Sequence, residues 1–324
     1  SSVQLSTMMR RYMSTLANAS KGMTLAQQDK SHFLQRHSNL DSIEAVVRRL
    51  TQNGVRLPND ATFVNTFQLA RTTGYDYSGL SFYTERSGRY VIMVEETQHR
   101  YPWVCVRLPP DGRHDLPLLR ACFSELTESH LKSNGAAKWE FMLEADSDAT
   151  EAVCSLLGHS MRDESGDHSD FHMSDAQCAE WMKERCVVPA GFEVRSVDEK
   201  DAELVACTWK YCDSVTLVKE RVRHLPSVGV YTPEGQLAAF GITHSIGQLC
   251  HAYTFPEYRQ LGLQRARELR MWQQYIQSGL RPHKFVAVNN HPTYEFSCRT
   301  PYYYEWKWPQ GEPIRWNFNL IEYR

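Results

Sequence analysis

Residues 254–264 read Thr-Phe-Pro-Glu-Tyr-Arg-Gln-Leu-Gly-Leu-Gln, and they join a short apolar run to a long amphipathic one. The run before them, 249–254, has the length and apolar content of a buried strand. The run after them follows helical spacing from Leu263 onward. The turn therefore places Arg259 and Gly262 at a helix N-terminus, where backbone N–H groups and the helix dipole favour a phosphate. An ordinary strand-to-helix turn with a surface arginine is the alternative.

The turn resembles two known patterns. Arg-x-x-Gly-x-Gln at 259–264 is similar to the pyrophosphate-binding motif of the GNAT acyltransferase superfamily, Arg/Gln-x-x-Gly-x-Gly/Ala after a strand. More narrowly, Pro-Glu-Tyr-Arg-x-x-Gly-Leu at 256–263 resembles the glycine N-acyltransferase family. The resemblance implies that acetyl-coenzyme A or another acyl-coenzyme A lies with its pyrophosphate over Arg259, Gln260, Leu261, Gly262, Leu263 and Gln264. Gln264 departs from the superfamily pattern, which has a small residue there.

The same resemblance implies further contacts with the coenzyme. Backbone groups of Ala252, Tyr253 and Thr254, on the splayed strand before the turn, would hold the pantetheine arm. Asn290 ends the next predicted strand, and its side-chain amide would also bind the pantetheine. A helix N-cap is the alternative role of Asn290. No metal is expected.

Acyl transfer to an amine needs a base, a donor for the carbonyl oxygen and a proton source for the leaving thiolate. In the glycine N-acyltransferases that this chain resembles, a glutamate on the central strand is the base, and the matching residue is Gln248. An amide cannot accept that proton, so His251 is the alternative base. Strand parity places His251 on the opposite face unless a bulge intervenes, and a core histidine is its simpler role. Tyr294, on the helix after Asn290, is the candidate acid.

Composition limits the classes of function. The chain has 324 residues, 42% of them hydrophobic and 23% charged, with a formal net charge of −2. These values indicate an ordinary globular protein of about two domains and argue against a general nucleic-acid binder. Nine cysteines without a Cys-x-x-Cys pair suggest neither a zinc ribbon nor a disulfide framework, and favour a reducing compartment. No run of apolar residues is long enough for a transmembrane helix.

The first half alternates helical and strand patterns. Predicted helices cover 41–50, 60–70, 116–131, 149–157 and 174–185, and predicted strands cover 80–85, 90–95, 103–108 and 139–143. The polar segment 162–170 is predicted to be an exposed loop, because nothing in it repeats at metal-ligand spacing. Residues 1–28 contain basic residues and no acid, which suits either a mitochondrial targeting segment or a flexible tail.

The second half repeats this order. Predicted strands cover 192–197, 226–231, 237–244, 249–254, 284–288, 302–308 and 314–323, with helices over 198–211, 216–224, 263–276 and 290–298. We therefore predict an α+β fold of tandem GNAT-like domains, with mixed, mostly antiparallel sheet flanked by helices. The boundaries are a tail over 1–28, a degenerate domain over 29–189 that has lost its coenzyme site, and an acyl-coenzyme A-binding domain over 190–324.

The resemblance implies an N-acyltransferase that moves an acyl group from coenzyme A to a small amine or an amino acid such as glycine. The alternative is a catalytically weak or inactive GNAT-fold module that binds acyl-coenzyme A or a protein partner, and Gln248 favours it. Acetylation of an arylalkylamine or a protein amine is a third possibility. The expected partners are acyl-coenzyme A and the acceptor amine, without nucleic acid or membrane, in a monomer or homodimer of mitochondria or cytoplasm.

Overall fold

The computed structural model describes residues 33–52, 57–96, 101–131, 139–157, 166–210, 212 and 214–323. Leu34–Arg324 form one compact unit. The expected tail over 1–28 lies outside the described residues. None of the described helices is both long and apolar enough to cross a membrane.

The described part of the first half contains six strands and five α-helices. In chain order they are β1 (Leu34–His37), α1 (Leu40–Thr51), α2 (Asp60–Thr72), β2 (Leu80–Glu85), β3 (Val91–Glu95), β4 (Trp103–Val106), α3 (Leu116–Leu126), β5 (Trp139–Asp146), α4 (Ser147–Leu157), β6 (His168–His172) and α5 (Asp175–Lys183). A π-helical turn, Thr127–Leu131, extends α3.

The second half repeats the order of the first up to α9. It consists of β7 (Glu193–Arg195), α6 (Ala202–Cys207), α7 (Val215–His224), β8 (Ser227–Tyr231), β9 (Leu237–Thr243), β10 (Leu249–Thr254), α8 (Leu263–Gln277), β11 (His283–Ala287), α9 (His291–Arg299), β12 (Tyr304–Glu305) and β13 (Arg315–Tyr323). The predicted elements are present in both halves, and the predicted mixed, mostly antiparallel sheet flanked by helices is confirmed.

Two described sheets carry these strands. The larger has the order β1-β2-β3-β4-β5-β13-β6-β11, with β12 beside β6, and the smaller has the order β10-β9-β8-β7. The last strand of the chain therefore pairs with β5 of the first half, and β6 of the first half pairs with β11 of the second. Strands from both sides of residue 189 pair with each other in the larger sheet, so the two halves share that sheet.

The two halves differ at one place that decides where a ligand fits. In the first half, β4 and β5 pair in parallel through Trp103–Cys105 and Met142–Glu144. Their counterparts in the second half, β10 and β11, belong to different sheets. A gap therefore separates β10 from β11, whereas ladder hydrogen bonds close the same place in the first half.

Packing fixes the helix that follows β10. Trp181 of α5 and Trp272 of α8 are fully buried in one apolar cluster. The Trp181 indole N–H donates to the Leu269 carbonyl at 3.0 Å, which fastens α5 to α8. Truncating a buried tryptophan of this kind costs about 3–5 kcal/mol of stability. The start of α8 is thus held by the core of the protein.

Three sequence predictions differ from the structure. The segment 166–170, predicted as part of an exposed loop, enters the buried strand β6, because β11 and β13 pair with it from both sides. Residues 162–165 lie outside the described part. Strand β1 was not predicted, since its burial comes from distant β2 and α3. The helix predicted to begin at 41 begins at Leu40, and its N-cap Asn39 accepts through its side chain from the Ser42 N–H.

Candidate functional site

The turn after β10 exposes unused hydrogen-bond donors. A short 3₁₀ turn, Pro256–Tyr258, follows β10, and α8 begins at Leu263 without a side-chain cap. Gln260 and Gly262 have positive φ angles of 63° and 76°. A non-glycine residue in this conformation is uncommon and costs about 1–2 kcal/mol. The first N–H groups of α8 therefore have no capping side chain as acceptor.

A groove of about 490 Å³ opens over this turn. Thr254, Tyr258, Arg259, Gln260, Gly262, Leu263, Gln264, Arg265, Pro292, Thr293 and Phe296 line it. This set, all from described residues, includes two arginines and no acid. An added Cβ at Gly262 would have no neighbour within 4 Å, so the turn is open on the groove side. Helix N–H groups, arginines and open space suit an anionic phosphate.

Arg259 is exposed and lies against the end of β10. Its Nε donates to the Thr254 carbonyl at 3.2 Å, and its guanidinium stacks on the Tyr253 ring at 5.7 Å. The predicted pantetheine residues therefore lie next to the predicted phosphate residues. Ala252, also on β10, is exposed beside the gap.

Asn290 ends the segment after β11 and is exposed. It occupies the N-cap position of α9, but its side chain makes no capping hydrogen bond. The N-cap role, one of the two alternatives from sequence, is therefore absent from this structure. The groove also receives three residues of α9 that the sequence did not indicate: Pro292, Thr293 and Phe296.

Gln248 lies at the start of β10 and is buried, 5% exposed. Its amide Nε2 donates to Glu144 Oε2 at 3.4 Å, and its own Oε1 has no hydrogen-bond partner. Glu144 comes from β5 of the first half and is fully buried. Burial raises the pKa of Glu144 to about 8, the nearby Asp170 charge adds to this, and hydrogen bonds from Trp103 and other side chains oppose it. A carboxyl group therefore lies beside Gln248, but on another strand.

His251 and Gln248 contact different parts of the protein. The pairing of β10 with β9 shifts register between Leu249 and His251, so a bulge interrupts the strand alternation that would place the two residues on opposite faces. His251 Nε2 lies 3.0 Å from Thr208 Oγ1, and its ring stacks on Trp209 at 5.4 Å. Burial lowers the pKa of His251 to about 4, and the Arg267 charge adds to the effect. The imidazole is therefore neutral at pH 7, as a proton acceptor must be.

Arg267 is the unexpected residue of this region. It lies on α8, is fully buried, and its Nε and Nη1 have no hydrogen-bond partner. Gly241 of β9 makes room for it, since an added Cβ there would lie 2.9 Å from Arg267 Cδ. Burial lowers the pKa of Lys284 on β11 and of His251 on β10, and the charge of Arg267 lowers both further, whereas Glu268 raises that of Lys284. Burial disfavours the charge of Arg267, and the neighbouring Glu268 carboxylate offsets part of that cost.

Tyr294 faces away from the groove. Its hydroxyl donates to Glu305 Oε1 at 2.8 Å, and its ring packs edge-on against Phe171 at 5.8 Å. Burial and the bond to Glu305 raise the pKa of Tyr294. The structure therefore does not bring Tyr294 together with the residues of the turn.

The corresponding turn of the first half, between β4 and α3, has a different character. Trp308 packs over it, because an added Cβ at Gly112 would lie 2.8 Å from the Trp308 ring. A groove of about 570 Å³ beside this turn contains two arginines, Arg113 and Arg315, and four acids, Asp111, Asp146, Asp148 and Glu312, so acids outnumber arginines there. Acids repel phosphate, and paired β4 and β5 leave no gap for a pantetheine arm.

Comparison with solved structures gives two informative similarities. A Drosophila melanogaster protein is 15% identical, over 89% of this chain and 98% of that one, with a TM-score of 0.67. A tandem GNAT protein from the clavulanic acid biosynthesis pathway is 16% identical, over 89% of this chain and 98% of that one, with a TM-score of 0.51. The chain has a tandem GNAT fold. No family model matches its sequence, and no curated protein matches it.

Some of the site residues are neighbours in the sequence, and others come together only in the folded protein. Residues 252–264 are contiguous, so a local pattern describes them. Glu144 and Arg267 reach the region through tertiary packing. Two signals could have indicated them: an acid within the apolar stretch 141–145 of β5, and an arginine on the apolar side of α8.

Proposed function

We propose that this protein is an acyl-coenzyme A-dependent N-acyltransferase. The observation that supports it best is the contrast between the halves. The second half has a gap between β10 and β11 that ends at a groove lined by two arginines and no acid, whereas in the first half β4 and β5 pair and the groove beside the turn contains four acids. The pyrophosphate of the coenzyme would bind over Arg259 and Gly262. The pantetheine arm would lie in the gap along Ala252, Tyr253 and Thr254, with Asn290 at its far side.

In the proposed reaction the acceptor amine nitrogen attacks the thioester carbonyl carbon. The carbon–sulfur bond then breaks, the coenzyme leaves as a thiolate, and the amide product loses the extra amine proton. The neutral imidazole of His251 is the best-placed proton acceptor among the predicted residues, because Gln248 is an amide and buries its side chain against Glu144. Arg267 would stabilise negative charge that develops at the carbonyl oxygen or that the acceptor brings.

Arg267 also favours one class of acceptor. The Nε and Nη1 of this buried guanidinium lack hydrogen-bond partners, and a guanidinium recognises a carboxylate by two charge-assisted hydrogen bonds. Small amino acids such as glycine carry that carboxylate next to the reacting amine. We therefore propose an amino acid, rather than an arylalkylamine or a protein amine, as the acceptor.

The test is a thiol-release assay with acetyl-coenzyme A and longer acyl-coenzyme A thioesters against paired acceptors. Glycine and glycinamide differ in the carboxylate only. We expect turnover with glycine, at least about 10-fold slower turnover with glycinamide, and loss of this preference in Arg267→Met. Equal rates for the two acceptors would reject the carboxylate, and the absence of turnover with any pair would reject the enzyme.

A non-catalytic GNAT module that binds acyl-coenzyme A is the second candidate, and Gln248 is the observation that favours it. It predicts saturable binding of the thioester, measured by calorimetry, without thiol release. The compartment and the choice between monomer and homodimer stay predictions from the sequence.

A further inference from the structure

Three buried polar side chains meet where β6 of the first half pairs with β11 of the second. Asp170 and His172 are two residues apart on β6, so both point to one face of the sheet. His283 of β11 lies directly opposite His172 in the antiparallel register, which places it on the same face. Their ring centroids are 5.2 Å apart. Neither the turn at 259–264 nor its groove includes any of the three.

The distances suit a shared cation. His172 Nε2 lies 2.6 Å from Asp170 Oδ2, and His283 Nδ1 lies 3.6 Å from Asp170 Oδ1. One ligand atom from each residue lies within 4.8 Å of the other two. A tetrahedral zinc ion with bonds of about 2.0–2.1 Å separates its ligand atoms by roughly 3.3 Å. Small side-chain rotations would therefore bring the three groups to coordination distance.

Burial makes the present arrangement incomplete. The three side chains are 0–3% exposed. Oδ1 of Asp170 and both ring nitrogens of His283 have no hydrogen-bond partner. Buried polar groups almost always have partners, because leaving one without costs about 1–3 kcal/mol. A salt bridge explains Asp170 and His172, but it leaves His283 with only the 3.6 Å approach to Asp170 Oδ1 and the backbone of Gly247.

Aromatic rings surround the three groups. The rings of Tyr304 and Trp306 pack against His172 with centroids 5.9 and 5.6 Å away. Phe285 packs edge-on against His283 at 5.9 Å. Two imidazoles and one carboxylate in such a shell are the ligand set of Zn²⁺ and similar transition metals, whereas Mg²⁺ and Ca²⁺ prefer oxygen ligands only.

We propose that Asp170, His172 and His283 bind a divalent transition metal ion of the Zn²⁺ class. The ion joins a strand of the first half to a strand of the second, and β11 is one wall of the gap. It therefore holds the two halves in register and fixes that wall. The metal proposal does not depend on the proposed acyl transfer, because the metal content is measurable whether or not the protein is an enzyme.

Metal analysis of the full chain tests the proposal. The protein is unfolded in denaturant with a chelator, freed of both, and refolded with or without Zn²⁺. We expect about one tightly held zinc ion per chain and a higher melting temperature in the sample refolded with zinc. Substitution with Co²⁺ should give the spectrum of nitrogen and oxygen ligands, without the thiolate band that binding to the free cysteines would produce.

Two conservative variants and a matched control locate the ion. Asp170→Asn and His283→Gln should weaken zinc binding by about 100-fold or more. His37→Gln replaces another buried histidine, which is hydrogen-bonded to Thr84 at 2.9 Å, and should leave zinc binding unchanged. Refolded wild-type protein that holds well below one equivalent of zinc, or full retention in both variants, would overturn the site. If a variant fails to fold, the wild-type stoichiometry and cobalt spectrum still decide.

Discussion

A substitution at Gly262, compared with the same substitution at Gly88, separates the effect of backbone strain from the effect on ligand binding. The φ angle of Gly262 is 76°, and an added Cβ would meet nothing within 4 Å. Gly88, in the turn between β2 and β3, has the same φ angle of 76° and the same open surroundings. Gly262→Val and Gly88→Val therefore impose the same backbone strain, and only the first adds a side chain to the groove.

The two variants should lose similar stability and very different affinity. A valine in this conformation costs at least about 1–2 kcal/mol in the free energy of unfolding at either position. At Gly262 it would also hold the phosphate away from the helix N–H groups. Losing one hydrogen bond to a charged group costs about 1.5–3 kcal/mol of binding free energy, which raises the dissociation constant roughly 10- to 150-fold.

Urea unfolding measures the loss of stability, and calorimetric titration with acetyl-coenzyme A and with coenzyme A measures the loss of affinity. We expect wild-type affinity in Gly88→Val and weak or undetectable binding in Gly262→Val. Equal affinity in both variants would show that the phosphate does not approach the turn at Gly262, and would refute the proposed binding mode.

Four further predictions concern charged and titratable groups. Arg259→Ala should weaken acyl-coenzyme A binding by about 1.5–3 kcal/mol, measured by the same titration, and Arg265→Ala is its comparison within the groove. Burial raises the pKa of Glu144 to about 8, so the stability that its protonated form contributes is complete below the ordinary pKa of the group and is lost as pH rises through 8. Above pH 8 the free energy of unfolding of Glu144→Gln should therefore exceed that of wild type by up to about 3–5 kcal/mol. Identical pH profiles for the two proteins would contradict this. Gln248→Glu places a second carboxyl group about 3.4 Å from that of Glu144, and two carboxylate charges cannot coexist there. The substitution should therefore lower stability at high pH without raising activity. A roughly 100-fold faster enzyme would show that residue 248 reaches the substrate. With its pKa lowered to about 4, His251 is neutral throughout pH 6–9; wild-type rates should follow the acceptor amine with no limb near 6.5, and His251→Ala should lose about 10²–10⁴-fold in rate if it is the base.

Sequence patterns predicted the parts of the fold that local physics determines. Leu263 and the residues after it form a helix because apolar positions recur at helical spacing, and Gly262 precedes it with the positive φ angle that glycine tolerates. The same reasoning predicted β10, the turn and α8 in their correct places. The groove at this joint combines elements that neighbour one another in the chain, except for the contribution of α9.

Long-range pairing was not visible in the same patterns. The polar sequence around Asp170 indicates a loop, yet β11 and β13 enclose it, because the last strands of the chain complete the sheet of the first half. Glu144 and Gln248 are 104 residues apart and meet only in the folded protein. Strand parity could not place His251, since the bulge in β10 depends on its pairing with β9.

Amide hydrogen exchange by mass spectrometry, with and without acetyl-coenzyme A, tests the central claim most directly, since it compares the two halves in one sample. Binding in the gap of the second half predicts slower exchange in peptides covering 249–264 and 283–290. It also predicts no change in the peptide covering 103–115, which contains the corresponding turn of the first half. Unchanged exchange at 249–264 under saturating ligand, or equal protection of both turns, would contradict acyl-coenzyme A binding at this site.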